Sequence, residues 1–508
     1  MLRLAATAAV FCAAVIASCS ERQVGPSRSA ACGPSAPGLS ELHFSNTAHP
    51  ARRNDLFLSL PTPQPRIGEP LAGLTPFQRG LFEAGKEAFV RSITEEEGLG
   101  PAHNLVSCAA CHGNPVGGSG SISVTMFGRA DENGFNPLKE LGGPLLQGGA
   151  IRPECAEHMP REANVSAERI TTSALGAGLI EAVADSSIAR LAESSSTDIT
   201  GRVHWVTALE DTPGSAKRVG RFGWKCQIAT VLSFSAVAAA TELGFTNYLL
   251  PTEAAPNGNL ALIEKCDSVP DPEDRPDSAG FTYVDRVTHF QRYLAAPPQT
   301  PRSGMKGEQV FDRIGCAACH VATLRTADDP SLEAALRHKP FKPYSDFLLH
   351  DMGRLGDGIV QGDATGREFR TTPLWGFRFR FPVLHDGRVS GVTSAERAIR
   401  CIEAHDGEAG PSMRAYRELG KQERNQLIAF LDSLGRVEFD QDGDNDVDLN
   451  DWSFFVGCRT GPAEGKYSPD DRCRIADIDG DGDVDLVDFA VLQQAFTGSL
   501  YGSVMAVP

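Results

Sequence analysis

The pentapeptide CAACH occurs twice in this sequence, at residues 108–112 and 316–320. Two Cys separated by two residues can form a redox pair or half of a zinc site, and a His directly after them also allows attachment of haem. On a helical turn both thiols and the His lie on one face. Each thiol can then form a thioether with a haem vinyl group while the His reaches the iron. A zinc site needs four ligands and a redox pair needs no His, so the repeated motif predicts two covalently bound haem c groups.

Related sequences flank the two motifs. GKEAF at 85–89 and GEQVF at 307–311 each predict a short helix that packs beside a haem, although EEEGLGPAHN is inserted before the first motif. Apolar residues recur at helical spacing in ERNQLIAFLDSL, at 423–434, which predicts a closing helix. We therefore expect a mainly α fold with two cytochrome c-like haem domains. The predicted haem-binding residues are Cys108, Cys111, His112, Cys316, Cys319 and His320, with His112 and His320 as iron ligands.

The acidic C-terminal segment contains two copies of one 12-residue pattern. Asp occupies positions 1, 3, 5, 7, 9 and 12 of each copy, which is the spacing of calcium-binding loops. An apolar helix is predicted after each loop, and Cys458 and Cys473 between the loops predict a disulfide. The pair resembles a small α-helical, dockerin-like calcium module with two Ca²⁺ and a possible protein partner. The predicted ligands are Asp440, Asp442, Asp444, Asp446, Asp448 and Asp451 in the first loop and Asp477, Asp479, Asp481, Asp483, Asp485 and Asp488 in the second.

The N-terminus predicts export. A positive start and an apolar stretch end in small residues before Cys19, which is typical of a bacterial lipoprotein signal. Residues 1–18 are therefore predicted to be a signal peptide, with Cys19 lipidated and the protein anchored to a membrane at the periplasmic side or the cell surface. Of the net charge of −17, residues 437–508 carry −12, from 16 acidic and 4 basic residues. The near-neutral body makes nucleic acid an unsuitable partner.

Several further segments, in order along the chain, resemble the bacterial di-haem oxidoreductase family, also called thiol oxidoreductases, which is related to di-haem cytochrome c peroxidases. The resemblance implies that the N-terminal haem meets peroxide or another small oxidant, and that the C-terminal haem stores and relays electrons from a redox-partner protein. The segments are EGLGPAHNLVSCAACH at 97–112, RITTSALGAGLIE at 169–181, GRFGWK at 220–225, YSDFLLHDMG at 344–353, RTTPLWG at 370–376, LHDGR at 384–388 and HDGEA at 405–409.

The resemblance also suggests roles for single residues. His405 lies near the position of the second iron ligand in relatives, although the segment 400–404 is longer than the family spacing, and His350 and Met352 are alternative ligands. Glu181 lies in the apolar segment GAGLIEAV, where a carboxylate would have a raised pKa, and is the predicted acid–base residue. Further candidates are Trp224 and Trp375 as an aromatic bridge, His385 as a hydrogen-bonding residue, and Arg221, Arg370 and Arg388 as partners of haem propionates.

The predicted organisation is a signal peptide (1–18), a tether (19–75), an N-terminal haem domain (76–295), a C-terminal haem domain (296–436) and a calcium module (437–508). The leading hypothesis is a peroxidase-like enzyme. The alternatives are a di-haem cytochrome that only transfers electrons and an assembly protein with a degenerate haem body. The sequence leaves open the pairing of Cys32, Cys155, Cys226, Cys266 and Cys401.

Overall fold

The computed structural model describes residues 61–113, 115–193, 199–462 and 472–499. The predicted signal peptide, the lipidation site Cys19 and Cys32 lie outside the described residues. No described helix is both long and apolar enough to cross a membrane. The α-helices are α1 (Pro76–Val90), α2 (Cys108–Cys111), α3 (Ala177–Glu181), α4 (Asp185–Glu193), α5 (Val231–Glu242), α6 (Leu260–Cys266), α7 (Tyr283–Tyr293), α8 (Lys306–Arg313), α9 (Ser394–Ala404), α10 (Gly410–Glu418), α11 (Lys421–Ser433), α12 (Leu449–Cys458) and α13 (Leu486–Ala495).

Strands make the fold mixed rather than mainly α. The largest sheet follows the first CAACH motif and is centred on β2, which pairs antiparallel with β3, β4 and β6. The remaining strands form two-stranded antiparallel pairs. The strands are β1 (Ala102–His103), β2 (Ser123–Asp131), β3 (Gly134–Asn136), β4 (Leu145–Leu146), β5 (Gly149–Ala150), β6 (Val165–Ile170), β7 (Trp205–Val206), β8 (Arg218–Val219), β9 (Leu324–Arg325), β10 (Pro340–Phe341), β11 (Leu349–Asp351) and β12 (Glu368–Arg370).

Helices α1 and α7 cross beside the first CAACH motif. Thr75 caps α1 through its side chain and Pro76 takes the first helical position, so the helix begins where the sequence favours it. At the crossing, a Cβ on Gly85 would collide with the backbone of α7. The absence of a side chain therefore lets the two helices approach closely, and it brings Phe89 to 4.8 Å from Phe290 between ring centres.

Helices α8 and α11 repeat this crossing beside the second motif. Gly307 of α8 faces the carbonyl of Gln426 on α11, again with no room for a Cβ. The rings of Phe311 and Phe430 lie 5.4 Å apart, as edge to face. The sequence repeat GKEAF and GEQVF is thus a repeat of structure, because Gly and Phe occupy matching places at the two crossings.

Three large buried apolar clusters and a small fourth one, of Cys226, Leu349 and Ala364, form the interior of the described chain. The first surrounds α1 and α7, the second surrounds α8 and α11, and the third lies between α12 and α13. The first cluster also includes Leu324, Phe341 and Trp375, so packing crosses the predicted boundary at 295/296. The third begins at Val437, and the adjacent Glu438 is ion-paired with Arg302. The domain boundaries remain predictions.

The described cysteines form two disulfides, and the others are free thiols. Cys155 is bonded to Cys266, a pair that the sequence left open. Cys458 is bonded to Cys473, as the sequence suggested. All four thiols of the CAACH motifs are free, as are Cys226 and Cys401.

Candidate active site

The first CAACH motif forms the single helical turn α2. Ser107 caps this turn by accepting a hydrogen bond from the amide of Ala110 at 3.2 Å. The Cys108 thiol lies 3.3 Å from the hydroxyl of Tyr283. Burial raises the pKa of Cys108 and of Cys111 to about 11. A reactive redox pair needs a lowered thiol pKa, so these thiols suit covalent attachment better than disulfide exchange.

The imidazole of His112 is oriented by the backbone. Its Nδ1 donates to the carbonyl of Gly118 at 2.9 Å, which leaves Nε2 as the nitrogen with a free lone pair. Burial lowers the pKa of His112, so the ring is neutral and able to bind a metal. Phe89 of α1 contacts the ring edge-on, at 5.8 Å between centres.

The second motif repeats this arrangement in a tighter 3₁₀ turn at Cys316–Ala318. The Nδ1 of His320 donates to the carbonyl of Tyr344 at 2.8 Å. Burial, with a smaller contribution from the nearby His405, lowers the pKa of His320 to about 4. Phe311 lies 6.1 Å from the ring of His320. Both motifs therefore present a neutral imidazole with Nε2 available.

Both histidines line one large cavity between the modules. The cavity contains about 2080 Å³ of empty space, part of it open to solvent. Its walls are mostly apolar, and they come from both modules. The lining residues include His112, Ile170, Leu175, Phe222, Trp224, Phe234, Cys316, Cys319, His320, Phe369, Trp375, His385, Leu427 and Leu431.

The charges of two arginines in the cavity wall indicate whether the cavity suits haem. Arg370 and Arg380 both line the cavity, and no described carboxylate forms an ion pair with either. Burial lowers the pKa of Arg370, and burial together with the neighbouring Arg370 lowers that of Arg380 to about 10. The Nε atom of Arg370 also has no hydrogen-bond partner. Buried charges are normally paired, so the buried Arg370 and the half-buried Arg380 call for an anionic ligand, which haem propionates would provide. The residues present fit haem.

The candidates for the second iron ligand differ in their contacts in the structure. His405 follows α9 as its C-cap and lines the same cavity as His320. Its Nδ1 donates to the carbonyl of Cys401 at 2.7 Å, and burial lowers its pKa, so Nε2 is available. Met352 also lines the cavity and remains a candidate.

The predicted iron ligand His350 has both ring nitrogens hydrogen-bonded to carboxylates. Its Nε2 donates to Asp346 at 2.9 Å and its Nδ1 donates to Glu408 at 2.8 Å. Burial lowers the pKa of His350, but the hydrogen bonds to these carboxylates more than offset that effect and raise the pKa to about 12. An imidazolium has no lone pair for iron.

Glu181, the predicted acid–base residue, does not line the large cavity. The carboxylate is ion-paired with Arg292 and accepts a hydrogen bond from the amide of Val231 at 2.8 Å. It lines a second pocket, which also contains His289. The sequence placed Glu181 in an apolar segment, but it is Ala177 and Ile180 of this turn that line the large cavity.

Aromatic residues lie in the cavity wall between segments of the two modules. The indole of Trp224 donates to the carbonyl of Ile170 at 2.9 Å, and its ring meets His385 edge-on at 6.2 Å. His385 stacks on Phe369 at 4.1 Å. Trp375 also lines the cavity, so both predicted bridging tryptophans reach it.

Two of the three arginines proposed as propionate partners are engaged elsewhere. Arg221 is ion-paired with Asp185 and donates to the carbonyl of Val183 at 2.7 Å. Arg388 is exposed and paired with Asp386. Of the three, Arg370 lines the cavity and remains a predicted propionate partner.

Sequence reasoning missed several residues of the cavity wall. Arg380, Gln291, Cys401 and Met413 all line it. Cys401 precedes His405 by one helical turn, a spacing that could have placed both on one face. Arg380 and Gln291 carry no comparable signal in the sequence.

The two calcium-type loops have matching geometry. At loop position 1, Asp440 accepts the amides of Gly443 and Asn445 at 2.6 and 3.1 Å. Asp477 accepts the amides of Gly480 and Gly482 at 2.9 and 3.1 Å.

The last carboxylates of the loops match as well. At position 12, Asp451 and Asp488 each accept two backbone amides. Burial raises the pKa of Asp451 to about 6 and that of Asp488 to about 7. Oxygens of Asp440, Asp442 and Asp451 converge within 4.8 Å, as do those of Asp477, Asp479 and Asp488.

The sequence profile of the family described as "Di-haem oxidoreductase, putative peroxidase" matches residues 157–434, more than half of the chain. No curated protein gives a significant match. Among solved structures, a MauG-like protein associated with microbial copper homeostasis is similar at 15% identity, covering 74% of this chain and 93% of its own, with a TM-score of 0.32. Hydrazine synthase of Kuenenia stuttgartiensis is similar at 12% identity, covering 81% and 100%, with a TM-score of 0.31. On the family match, the chain belongs to the di-haem oxidoreductase family and is a haem-dependent oxidoreductase.

Proposed function

We propose that this chain is an exported, lipid-anchored enzyme that reduces peroxide at the haem of the first CAACH motif. The haem of the second motif stores electrons from a partner protein and relays them. Export and anchoring rest on the signal sequence that ends at Cys19.

The observation that carries this proposal is an asymmetry in the cavity wall. Apart from His112 and His320, every His or Met of the described chain that lines the cavity comes from the C-terminal haem domain, namely His350, Met352, His385, His405 and Met413. Besides His112, Trp224 and apolar residues, the described N-terminal module contributes side chains with hydroxyl and amide groups, from Ser119, Thr171, Thr172, Ser173 and Gln291. An iron bound by His112 would thus keep a coordination position open to a small ligand, whereas one bound by His320 can be closed by His405.

Bound haem supplies the redox chemistry of the iron, and the protein supplies ligation, orientation and access. His112 and His320 would hold the two irons through Nε2, because each Nδ1 is committed to a backbone carbonyl. The side chains of Ser173 and Gln291 offer hydrogen bonds that can orient a peroxide. In the complete reaction hydrogen peroxide accepts two electrons and two protons and leaves as two water molecules.

We also propose that the C-terminal loops bind two Ca²⁺. The converging carboxylates of Asp440 and Asp451, and of Asp477 and Asp488, support this because hard oxygen ligands suit calcium. The like charges would otherwise repel each other. Binding should therefore stabilise this module.

Optical and EPR spectra of the haem-loaded protein test the peroxidase proposal. We expect one high-spin and one low-spin haem, with hydrogen peroxide changing the high-spin signal first. The variant His405→Ala is the matched control, because it should open the second haem without changing the first. If both haems are six-coordinate, low-spin and inert to peroxide, the protein is an electron carrier instead.

A further inference from the structure

Two short segments that begin with His-Asp lie against each other beside the second haem site. One is residues 350–354, at the end of β11, and the other is residues 405–408, directly after α9. A Cβ on Gly407 would collide with the carbonyl of Asp351, and a Cβ on Gly353 would lie 2.8 Å from the amide nitrogen of Gly407. Both glycines have a positive φ, of 60° and 56° respectively, which other residues adopt only with strain. The backbones of the two segments are therefore in direct contact.

Side chains join the same two segments. His350 donates from Nδ1 to Glu408 at 2.8 Å and from Nε2 to Asp346 at 2.9 Å. Arg354 donates from Nε to Asp406 at 2.8 Å, and its amide donates to the same carboxylate at 3.0 Å. We call His350, Asp346 and Glu408 the His350 clamp. The clamp connects β11 to the loop that follows α9.

The His350 clamp is nearly closed to solvent. The side chains of Asp346 and His350 are 2% and 3% exposed, and that of Glu408 is 14% exposed. Glu408 also accepts the amide and the hydroxyl of Thr200 at 2.9 and 3.0 Å, so a residue of the N-terminal module completes the clamp. Removing one partner of a buried ion pair leaves the other charge uncompensated. The three side chains therefore hold each other in one arrangement.

The clamp reaches two different parts of the second haem site. On one side, Nδ1 of His350 lies 3.7 Å from the sulfur of Cys319, and the amide of Asp346 donates to the carbonyl of Cys319 at 3.0 Å. On the other side, Glu408 follows His405 by three residues, and both line the cavity. Helix α9 ends at His405, so the position of this imidazole depends on how the residues after the helix are held.

We infer that His350 and Glu408 are positioning residues that hold His405 at the iron of the second haem. This inference rests on the proposed function, in which His405 closes that iron. Neither residue is free to bind the iron itself, because both nitrogens of His350 and both oxygens of Glu408 are hydrogen-bonded. The clamp instead ties the segment that carries His405 to the one that carries the haem-binding Cys319. Loss of a group that orients a metal ligand typically lowers metal affinity about 10–100-fold.

Cyanide is the probe, because it binds ferric haem and competes with a side-chain ligand for the iron. EPR spectra of the haem-loaded ferric protein follow the titration. In the wild type we expect two steps, in which cyanide binds the open haem of the first motif at low concentration and displaces His405 from the second haem only at high concentration. Glu408→Gln should lower the cyanide concentration of the second step about 10–100-fold and leave the first step unchanged. The reason is that Gln has one acceptor oxygen where the carboxylate has two.

The same substitution made in His405→Ala separates positioning from a general effect on the haem site. If Glu408 acts through His405, Glu408→Gln has no effect on cyanide binding in that background. Glu403→Gln is the matched control, at an exposed position of α9 two residues before His405, and should behave like the wild type. His350→Gln should shift the second step in the same direction as Glu408→Gln, and it gives the same readout if Glu408→Gln does not incorporate haem. Without cyanide both variants should stay low-spin, because His405 is still present.

Three results would overturn the inference alone. They are a second step that is unchanged in Glu408→Gln and His350→Gln, an equal shift in the control Glu403→Gln, and an equal effect of Glu408→Gln with and without His405. A failure of the proposed function is distinct, because His405→Ala would then stay low-spin before any cyanide is added. In that case His405 does not close the second iron, and the inference fails with it.

Discussion

Gly80 and Gly85 lie on the same helix, α1, yet Ala should have opposite effects at the two positions. A Cβ at Gly80 meets no described atom of another element within 4 Å. A Cβ at Gly85 would collide with the carbonyl of Arg286 and lie 2.8 Å from the amide nitrogen of Phe290, both on α7. The obstacle at Gly85 is backbone, which cannot rotate away as a side chain can.

The magnitudes follow from these surroundings. Within a helix, Gly→Ala stabilises by about 0.5–1 kcal/mol when nothing obstructs the new methyl. Overpacking costs about 1–3 kcal/mol, so Gly85→Ala should destabilise by about 0.5–2 kcal/mol on balance. In a domain of this size 1 kcal/mol shifts Tm by about 2–4 °C. We therefore expect Gly80→Ala to raise Tm by about 1–4 °C and Gly85→Ala to lower it by about 1–8 °C.

Thermal unfolding of the haem-loaded, calcium-saturated protein measures both effects, with far-UV circular dichroism for the helices and Soret absorbance for the haem. Gly85→Ala should also alter the Soret band before unfolding, because separation of α1 from α7 moves Phe89, whose ring lies 5.8 Å from that of His112. Gly80→Ala should leave the band unchanged. A melting temperature for Gly85→Ala at or above that of Gly80→Ala would refute the close-crossing argument.

Three further predictions concern ligands. His405→Ala should convert the low-spin haem to high spin in EPR. His350→Gln should keep that haem low-spin, because His350 has no free nitrogen. A low-spin signal retained in His405→Ala would exclude His405 as the second iron ligand. Asp488→Ala should reduce the calcium stoichiometry measured by titration calorimetry from two to one, and an unchanged stoichiometry would contradict calcium binding by the second loop. In the wild type, Ca²⁺ at a hundred times its Kd should stabilise the module by about 2.7 kcal/mol. Arg380→Met should lower a haem reduction potential in spectroelectrochemical titration, because a positive charge in the cavity wall favours the reduced iron. Arg388→Met, at an exposed position, should leave the potential unchanged.

The repeated elements of the site could be predicted from the sequence because each depends on local chemistry. The pairing of a Gly with a Phe in GKEAF and GEQVF reappears as two equivalent helix crossings, at Gly85 and Gly307. The matching geometry of the two acidic loops was predictable for the same reason, since one register of carboxylates fixes which backbone amides hydrogen-bond to Asp440 and Asp477. In these loops, the carboxylate and the backbone amides that hydrogen-bond to it lie within a few residues of each other in the sequence.

Side-chain direction could not be predicted where distant partners decide it. Glu181 turns from the large cavity because Arg292, 111 residues away in sequence, offers a cation. His350 is held by Asp346 on one side and by Glu408 on the other, 58 residues away. The sheet around β2 was missed because its strands follow a haem motif that suggested helices alone.

The two haem sites differ because of the segments between the motifs, rather than because of the motifs. Each CAACH fixes two thiols and one imidazole in the same way, with Nδ1 bound to a carbonyl. The difference lies in what completes the cavity wall: His405 at the end of α9 lies near His320, while the polar side chains that the N-terminal module adds carry mostly hydroxyl and amide groups. Packing also crosses the predicted domain boundary at 295/296, since Trp375 of the C-terminal domain belongs to the apolar cluster around α1 and α7. Residues of both modules also line the one cavity. A CAACH motif therefore predicts where a haem attaches, whereas the residues that we propose to leave one iron open and to close the other lie in distant segments of the chain.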